Sequence, residues 1–213
     1  MSRTVLLTGF AAFDGQRENA SWLAVERAAE AWSGPGEVAT ALLPVSFAEF
    51  GPALADAVAR HRPDVVVCAG LAEGRSRIGL ERTAVNIIDA RIPDQDGWSP
   101  IDEPVVVGGP VGYLSSLPIK ACLAELTAAL VPAEISESAG TYVCNAVFYR
   151  LMHSLRRASA VRAGFVHLPQ ATEIARDDGP SLALDVLAGG LTVIARTSLT
   201  VRHELRLAGG RIH

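Results

Sequence analysis

Short apolar runs alternate with amphipathic stretches along the chain. Residues 4–8 (TVLLT) and 64–69 (DVVVCA) are continuous apolar runs, as in strands that are buried on both faces. Residues 21–32 and 47–61 have helical patterns, and Ser21 is a suitable N-cap for the first. The remaining predicted elements are strands at 38–43, 82–88 and 163–167 and helices at 117–130, 144–157 and 181–199. Strands that alternate with helices in this way predict an α/β layered domain.

Two segments are predicted to be irregular. Glycines and prolines crowd residues 91–112, which predicts a long loop or a small hairpin. Residues 135–143 are expected to form a short irregular link before a helix. No segment repeats or is low in complexity, and 213 residues are close to one domain at about 150 residues per domain. We therefore expect a single domain that spans residues 1–213.

Composition and charge exclude several classes of protein. Hydrophobic residues make up 49% of the chain and charged residues 20%, which is typical of a globular protein. A net charge of −4 without a clustered basic face argues against a nucleic-acid partner. No window approaches the roughly 20 apolar residues that span a bilayer, and the N-terminus is typical of a strand rather than a signal peptide. Three scattered cysteines without a CxxC pair predict neither a disulfide framework nor a zinc site, so we expect a reduced, cytoplasmic protein without a membrane partner.

One of the three cysteines has a position that suits chemistry. Cys68 lies within an apolar run and Cys122 within an apolar helix, where a thiol behaves as a small core residue. Cys144 follows a glycine-containing turn and opens a helix. The unpaired amides and the dipole at a helix start are expected to stabilise a thiolate there. Cys144 is the candidate nucleophile, with a structural thiol as the alternative.

A nucleophilic cysteine needs a histidine within reach and a third group that orients the imidazole. His153 follows Cys144 by nine residues on the same predicted helix, on its opposite face and about 13 Å along its axis, so it is excluded. His167 closes an apolar strand, at the edge where open α/β sheets place their sites, with a satisfied buried histidine as the alternative. The other histidines lie at a helix end or in the charged tail: His61, His203 and His213.

Glu81 is the candidate third group. It lies between a glycine-bearing loop and the predicted strand at 82–88, and a solvated loop carboxylate is the alternative. The chain contains no GxSxG elbow, HExxH pair, Walker loop or GxGxxG fingerprint. TGFAAFDG, after the first strand, resembles a phosphate-binding loop only faintly. The cysteine, histidine and carboxylate therefore carry the strongest catalytic hypothesis.

Four blocks of the sequence resemble one known family. SESAGTYVCNAVFYRLMH (136–153) is similar to the active-site cysteine motif of the pyroglutamyl peptidase I, or pyrrolidone-carboxylate peptidase, family. GLERTAVNIIDARIPDQDGWSP (79–100) resembles its glutamate motif, and AGFVHLP (163–169) resembles the segment that carries its histidine. TGFAAFDGQRENASW (8–22) resembles its N-terminal loop. The blocks occur in the family's order.

The resemblance implies a fold and an activity. The fold would be a single-domain, three-layer α/β/α sandwich with a mixed, mostly parallel central sheet. The activity would be that of a cysteine exopeptidase, an omega peptidase that removes N-terminal pyroglutamate from peptides through a thioester. Cys144 would be the nucleophile, His167 the general base and then acid, and Glu81 the group that orients the imidazole. The Cys144 backbone amide and Arg91 would be the oxyanion donors. No metal or cofactor is implied, and a homotetramer is expected.

The resemblance also implies a substrate pocket. Pyroglutamate has no free α-amine, so its pocket needs apolar walls for a flat ring and backbone groups for the lactam. The ring would be flanked by Phe10 and Phe13, and the wall would be completed by Ile92, Tyr142 and Val143. Leu71 would contribute its main chain, and Asn19 would brace the first loop.

The chain departs from the family pattern at several positions. Gly79 stands where a small hydroxyl residue is usual, and Glu73 occupies a position that is usually small. The other departures are Ala11, Ala12, Asp14, Ala20 and Thr83. Two alternatives to a pyroglutamyl peptidase stay open on the sequence: an inactive paralogue that binds lactam ligands, and an amidase that acts on another cyclic amide.

Overall fold

A seven-stranded sheet forms the centre of the fold. The structure, a computed structural model, describes residues 3–158, 160–175 and 178–209. The strands are β1 (Thr4–Phe10), β2 (Glu37–Leu43), β3 (Val65–Leu71), β4 (Ile78–Val85), β5 (Gly112–Leu114), β6 (Ala133–Ser138), β7 (Arg162–Leu168), β8 (Gln170–Ala171) and β9 (Ser181–Leu182). The helices are α1 (Ala20–Glu30), α2 (Phe50–His61), α3 (Ile119–Ala128), α4 (Val143–Leu155) and α5 (Leu184–Thr200).

The sheet is mixed but mostly parallel. Its order is β2-β1-β3-β7-β4-β5, and β6 pairs with the other side of β4. The pairs β1–β2, β1–β3, β3–β7 and β4–β6 are parallel, whereas β4 is antiparallel to β7 and to β5. β8 and β9 form a separate two-stranded parallel sheet. The expected sheet type is confirmed.

Helices cover both faces of the sheet because its central strands are apolar on both faces. In β1, Val5 and Leu7 point to one face, whereas Leu6 and Phe10 point to the other. The first face packs against α1, α3 and α5, and the second packs against α2 and α4. Each layer therefore buries one set of alternating side chains, which confirms the predicted three-layer α/β/α sandwich.

Two strands differ from their predicted bounds. β6 lies where an irregular link is expected, because its sequence AEISES offers little apolar signal and only its two central residues are buried. β4 begins at Ile78 rather than at residue 82, since Gly79 and Glu81 interrupt the apolar run. Glu81 thus lies inside a strand and not at a junction with a loop.

The segment between β4 and β5 is largely irregular, as predicted. One isolated bridge joins Ile88 to Glu103, and β5 follows it. None of the helices in the described residues is long and apolar enough to cross a membrane.

Candidate active site

The site lies at the carboxyl ends of β1, β3 and β7. β1 has β2 on one side and β3 on the other, so the direction of the strand order changes between β1 and β3. Open α/β sheets place their crevice at such a point. Phe10 and Leu71 end β1 and β3, and His167 is the last residue but one of β7. The N-terminus of α4, with Cys144, faces the same crevice.

The antiparallel strand β4 brings a carboxylate to the imidazole. Gly79 pairs with His167, so Glu81 lies diagonally across from it. Glu81 Oε1 is 2.8 Å from His167 Nδ1, and both side chains are buried, Glu81 completely. A carboxylate only accepts, so Nδ1 carries the proton and donates it. The imidazole therefore has the tautomer in which Nε2 is free to accept a proton.

The Cys144 sulfur lies over a glycine in the strand beside His167. Gly70 of β3 pairs with His167 in register. A Cβ built on Gly70 would lie 2.8 Å from Cys144 Sγ and 2.7 Å from Phe165 Cζ. The Phe165 ring in turn packs against the His167 ring, with centroids 5.0 Å apart. Among the described residues no hydrogen bond joins the thiol to the imidazole, and such catalytic bonds are often long before substrate binds.

The balance of effects on the Cys144 sulfur favours a thiol over the expected thiolate. Burial is the largest of the causes that raise the pKa of Cys144 to about 12, and the Glu81 carboxylate contributes to this rise. Arg75 and the backbone N–H of Cys144 lower the pKa, but their effect is smaller than that of burial. The nucleophile must therefore be generated by a base.

A cavity of about 240 Å³ adjoins the thiol. All seven residues expected in the substrate pocket line it, together with the thiol and four residues not foreseen: Phe10, Phe13, Asn19, Leu71, Ile92, Tyr142, Val143, Cys144, Asp14, Gln16, Val45 and Glu73. Tyr142 packs against Phe13 with ring centroids 6.2 Å apart and edge-on against Phe47 at 5.4 Å. The aromatic and aliphatic part of this lining suits a small, flat ring, and Asp14 and Glu73 add two carboxylates to it.

Asn19 holds the first loop against the start of α1. Its side-chain amide donates to the Ala11 carbonyl at 3.1 Å, and its side-chain oxygen caps α1 by accepting from the Ser21 backbone N–H at 3.0 Å. This side chain therefore braces the loop that carries Phe13 across the cavity.

The structure does not place Arg91 among the residues that line the cavity. Its side chain is exposed, whereas its neighbour Ile92 reaches the cavity wall. The Cys144 backbone N–H belongs to the first turn of α4, where amides have no partner within the helix. Of the two expected oxyanion donors, the structure brings only the Cys144 amide to the thiol.

The other histidines lie away from this arrangement. His153 Nδ1 is 2.8 Å from the Tyr113 hydroxyl, in a contact between α4 and β5. His61 is half-buried at the end of α2 and His203 is exposed, whereas His213 lies outside the described residues. Across the described ranges, no three His, Cys, Asp or Glu side chains cluster closely enough to hold a metal ion.

Comparison with known proteins identifies the family. The sequence model of the family described as pyroglutamyl peptidase matches residues 3–201. The chain belongs to the pyroglutamyl peptidase family. It is 48% identical to the pyrrolidone-carboxylate peptidase of Clavibacter michiganensis over 98% of this chain and 99% of that one. It is 44% identical to that of Bacillus licheniformis over the full length of both. The crystal structure of pyroglutamyl peptidase I from Bacillus amyloliquefaciens matches with a TM-score of 0.94, at 38% identity, over 98% of this chain and 100% of that one.

Membership at this level of identity, over the whole chain, settles the kind of activity. The chain is a cysteine peptidase of the pyroglutamyl peptidase I type, and it removes N-terminal pyroglutamate. The crevice described above, with a thiol beside an apolar cavity, is the place in the fold that suits this reaction.

One residue that holds the peptidase site together was not foreseen. The fully buried side chain of Asn145 accepts from the Val85 backbone N–H at 2.9 Å and donates to the carbonyls of Val85 at 2.9 Å and Ile87 at 3.0 Å. These bonds tie the start of α4 to the end of β4, and so fix Cys144 relative to the strand of Glu81. An asparagine beside a candidate nucleophile gives no local signal of such a role, because its partners are 58 to 60 residues away.

We predict that Gly70→Ala displaces the thiol. The added Cβ would meet both Cys144 Sγ and Phe165. Misplacing a reacting atom by about 1 Å can cost about 10²-fold in rate, so kcat should fall by roughly that factor. Overpacking should also lower the free energy of unfolding by about 1–3 kcal/mol. Steady-state kinetics and thermal unfolding measure both effects.

Gly51→Ala is the matched control, because a Cβ there meets nothing within 4 Å on α2. It should leave kcat unchanged. A folded Gly70→Ala enzyme with the kcat of the Gly51→Ala enzyme would show that the sulfur does not need this close approach.

Proposed function

We propose that hydrolysis proceeds through a thioester on Cys144, with His167 as general base and then acid and Glu81 as the group that orients the imidazole. The observation that carries this proposal is the buried hydrogen bond of 2.8 Å from His167 Nδ1 to Glu81 Oε1. It leaves Nε2 as the ring nitrogen that can accept a proton. The proposal rests on the chemistry of these groups and on the resemblance of their motifs.

The first half of the reaction forms the thioester. Because burial keeps the pKa of Cys144 at about 12, the thiol gives its proton to His167 Nε2 as the sulfur attacks the acyl carbonyl. The Cys144 backbone N–H, in the first turn of α4, stabilises the oxyanion of the tetrahedral intermediate. The intermediate collapses, the C–N bond breaks, and His167 protonates the departing amine of the shortened peptide.

The second half releases pyroglutamate. His167 takes a proton from water, and the resulting hydroxide attacks the thioester carbonyl. The C–S bond breaks, the sulfur takes the proton back from His167, and the product leaves as the free acid. Throughout, the Glu81 carboxylate stabilises the imidazolium that forms in each half-reaction.

The cavity accounts for selection of the ring. Phe10 and Phe13 would flank the lactam, Ile92, Tyr142 and Val143 would complete the wall, and the end of β3 at Leu71 would offer its main chain. All of these residues line the same cavity. Their apolar character suits an acyl group without an α-ammonium, and it disfavours the open-chain glutamyl group, which carries charge.

We further propose that residues 1–213 act as one catalytic domain in the cytoplasm and that copies associate as a homotetramer. The family resemblance supports the tetramer. Large apolar side chains are exposed around the segment that leads into β5, which is typical of an association surface: Ile101 at 68%, Val107 at 87%, Val111 at 88% and Leu114 at 66%.

One assay separates this function from the two alternatives. The chain should release the chromophore from a chromogenic pyroglutamyl amide and leave the prolyl and glutamyl amides intact. Binding of a pyroglutamyl ligand without turnover would indicate an inactive paralogue. Faster turnover of a different cyclic amide would indicate an amidase.

Cys144→Ala should abolish turnover, because the acyl group then has no sulfur to bind. Cys68→Ser should retain activity, since the Cys68 side chain is completely buried in β3 and burial raises its pKa to about 12. Cys122→Ser should behave in the same way, since burial also raises the pKa of Cys122 to about 12. Turnover of the chromogenic amide, with circular dichroism as the check on folding, measures the difference. Loss of activity that tracks alkylation of Cys68 would contradict the assignment.

Glu81→Gln should slow the chemistry far more than it weakens binding. The change keeps the shape of the side chain but removes the charge that stabilises the imidazolium. We expect kcat to fall by about 10² to 10⁴-fold, the upper value being the cost of losing the analogous carboxylate in a serine triad. KM should shift little, because Glu81 does not line the cavity. A folded variant with near wild-type kcat would remove Glu81 from the mechanism.

A further inference from the structure

The loop between β3 and β4 brings a cation to the catalytic carboxylate. Arg75 Nη1 donates to Glu81 Oε1 at 2.9 Å, and this same oxygen accepts the hydrogen bond from His167 at 2.8 Å. The Arg75 side chain is 30% exposed, whereas that of Glu81 is fully buried. The second carboxylate oxygen, Oε2, is buried and has no hydrogen-bond partner within the described ranges. Both of the carboxylate's polar contacts therefore converge on one atom.

The guanidinium occupies the space that a side chain at residue 79 would take. A Cβ built on Gly79 would overlap Arg75 Nη1 and would lie 3.3 Å from Glu81 Oε1. Gly79 is also the residue that pairs with His167 across the two strands. The space left by the missing side chain is thus filled by the arginine beside the Glu81–His167 pair.

The charge of Arg75 has two consequences for the site. A completely buried carboxylate is costly unless it is paired and hydrogen-bonded. The guanidinium counters this by stabilising the carboxylate. Glu81 also raises the pKa of the Cys144 thiol, and Arg75 lowers it. Arg75 therefore offsets, at the sulfur, part of the repulsion that the carboxylate exerts.

We propose that Arg75 is a positioning residue for the hydrolysis: its guanidinium pairs with the Glu81 carboxylate and keeps Oε1 turned toward His167 Nδ1. It acts through Glu81 and touches neither the thiol nor the substrate cavity. The inference rests on the proposed roles of Glu81, His167 and Cys144.

The test compares Arg75→Met with Arg75→Lys and with Arg77→Met, an exposed arginine two residues further along the same loop. Arg75→Met should lower kcat by about 10- to 100-fold, the factor that corresponds to one hydrogen bond to a charged group. KM should stay unchanged, because Arg75 does not line the cavity. Arg75→Lys should recover part of the rate, since an ammonium keeps the charge but not the fixed geometry. Arg77→Met should match the wild type.

The pH profile of kcat/KM provides a readout that a merely structural role would not move. Among the described residues, the charged and titratable groups around the site include Glu81 and Arg75, beside His167, and Cys68 and Tyr142, beside Cys144. Arg75→Met removes a positive charge that opposes proton uptake by the Glu81–His167 pair. The acid limb of the profile should therefore move to higher pH in Arg75→Met and much less in Arg75→Lys.

A double-mutant cycle and a second variant keep the proposal testable if Arg75→Met fails to fold. In a Glu81→Gln background, Arg75→Met should cost little more, because the group through which it acts is already changed. Gly79→Ala leaves Arg75 in the chain but occupies its place, so it should reproduce the loss of kcat and the shift of the acid limb. Wild-type kcat in both Arg75→Met and Gly79→Ala, or an undiminished loss in the Glu81→Gln background, would overturn the proposal. Inactivity of the wild-type chain on pyroglutamyl amides would instead contradict the catalytic assignment itself.

Discussion

A single carboxylate oxygen, Glu81 Oε1, accepts hydrogen bonds from both His167 and Arg75, and the arrangement of the site depends on it. A carboxylate removed from water is costly unless it is paired and hydrogen-bonded. Here the two partners satisfy one oxygen and leave the other without a bond among the described residues. The carboxylate is thereby fixed in one orientation, and that orientation selects the imidazole tautomer.

The antiparallel strand β4 is what makes this contact possible in a sheet that is otherwise mostly parallel. It places Glu81 diagonally opposite His167, on the face of the sheet that α4 covers. Two glycines then allow close approaches: Gly70 admits the Cys144 sulfur and Gly79 admits the Arg75 guanidinium. Both glycines are in-register neighbours of His167, one on each side. His167 is thus flanked by two glycines. A functional group, the Cys144 sulfur or the Arg75 guanidinium, fills the space beside each of them.

The sequence predicts the layers well because the central strands are buried on both faces and read as continuous apolar runs. The sequence does not predict β6 or the start of β4, because polar residues interrupt the apolar pattern there. Pairing with neighbouring strands, and not the local pattern, makes these residues part of the sheet. The motifs of the resemblance point to Glu81, Cys144 and His167, and helix phase alone excludes His153. Arg75 and Asn145 give no local signal, because their roles depend on partners in other elements. The packing that raises the pKa of Cys144 likewise depends on other elements, so the helix start alone does not predict it.

The tautomer of His167 is the most direct test of this arrangement. Nitrogen-15 NMR of histidine-labelled protein distinguishes a protonated from an unprotonated ring nitrogen, and a His167→Ala sample assigns the signal among the five histidines. In the neutral imidazole the structure predicts a proton on Nδ1 and none on Nε2, with that preference lost in Glu81→Gln. A resting enzyme with the proton on Nε2 would contradict it, because His167 could then neither donate to Glu81 nor accept the proton of Cys144.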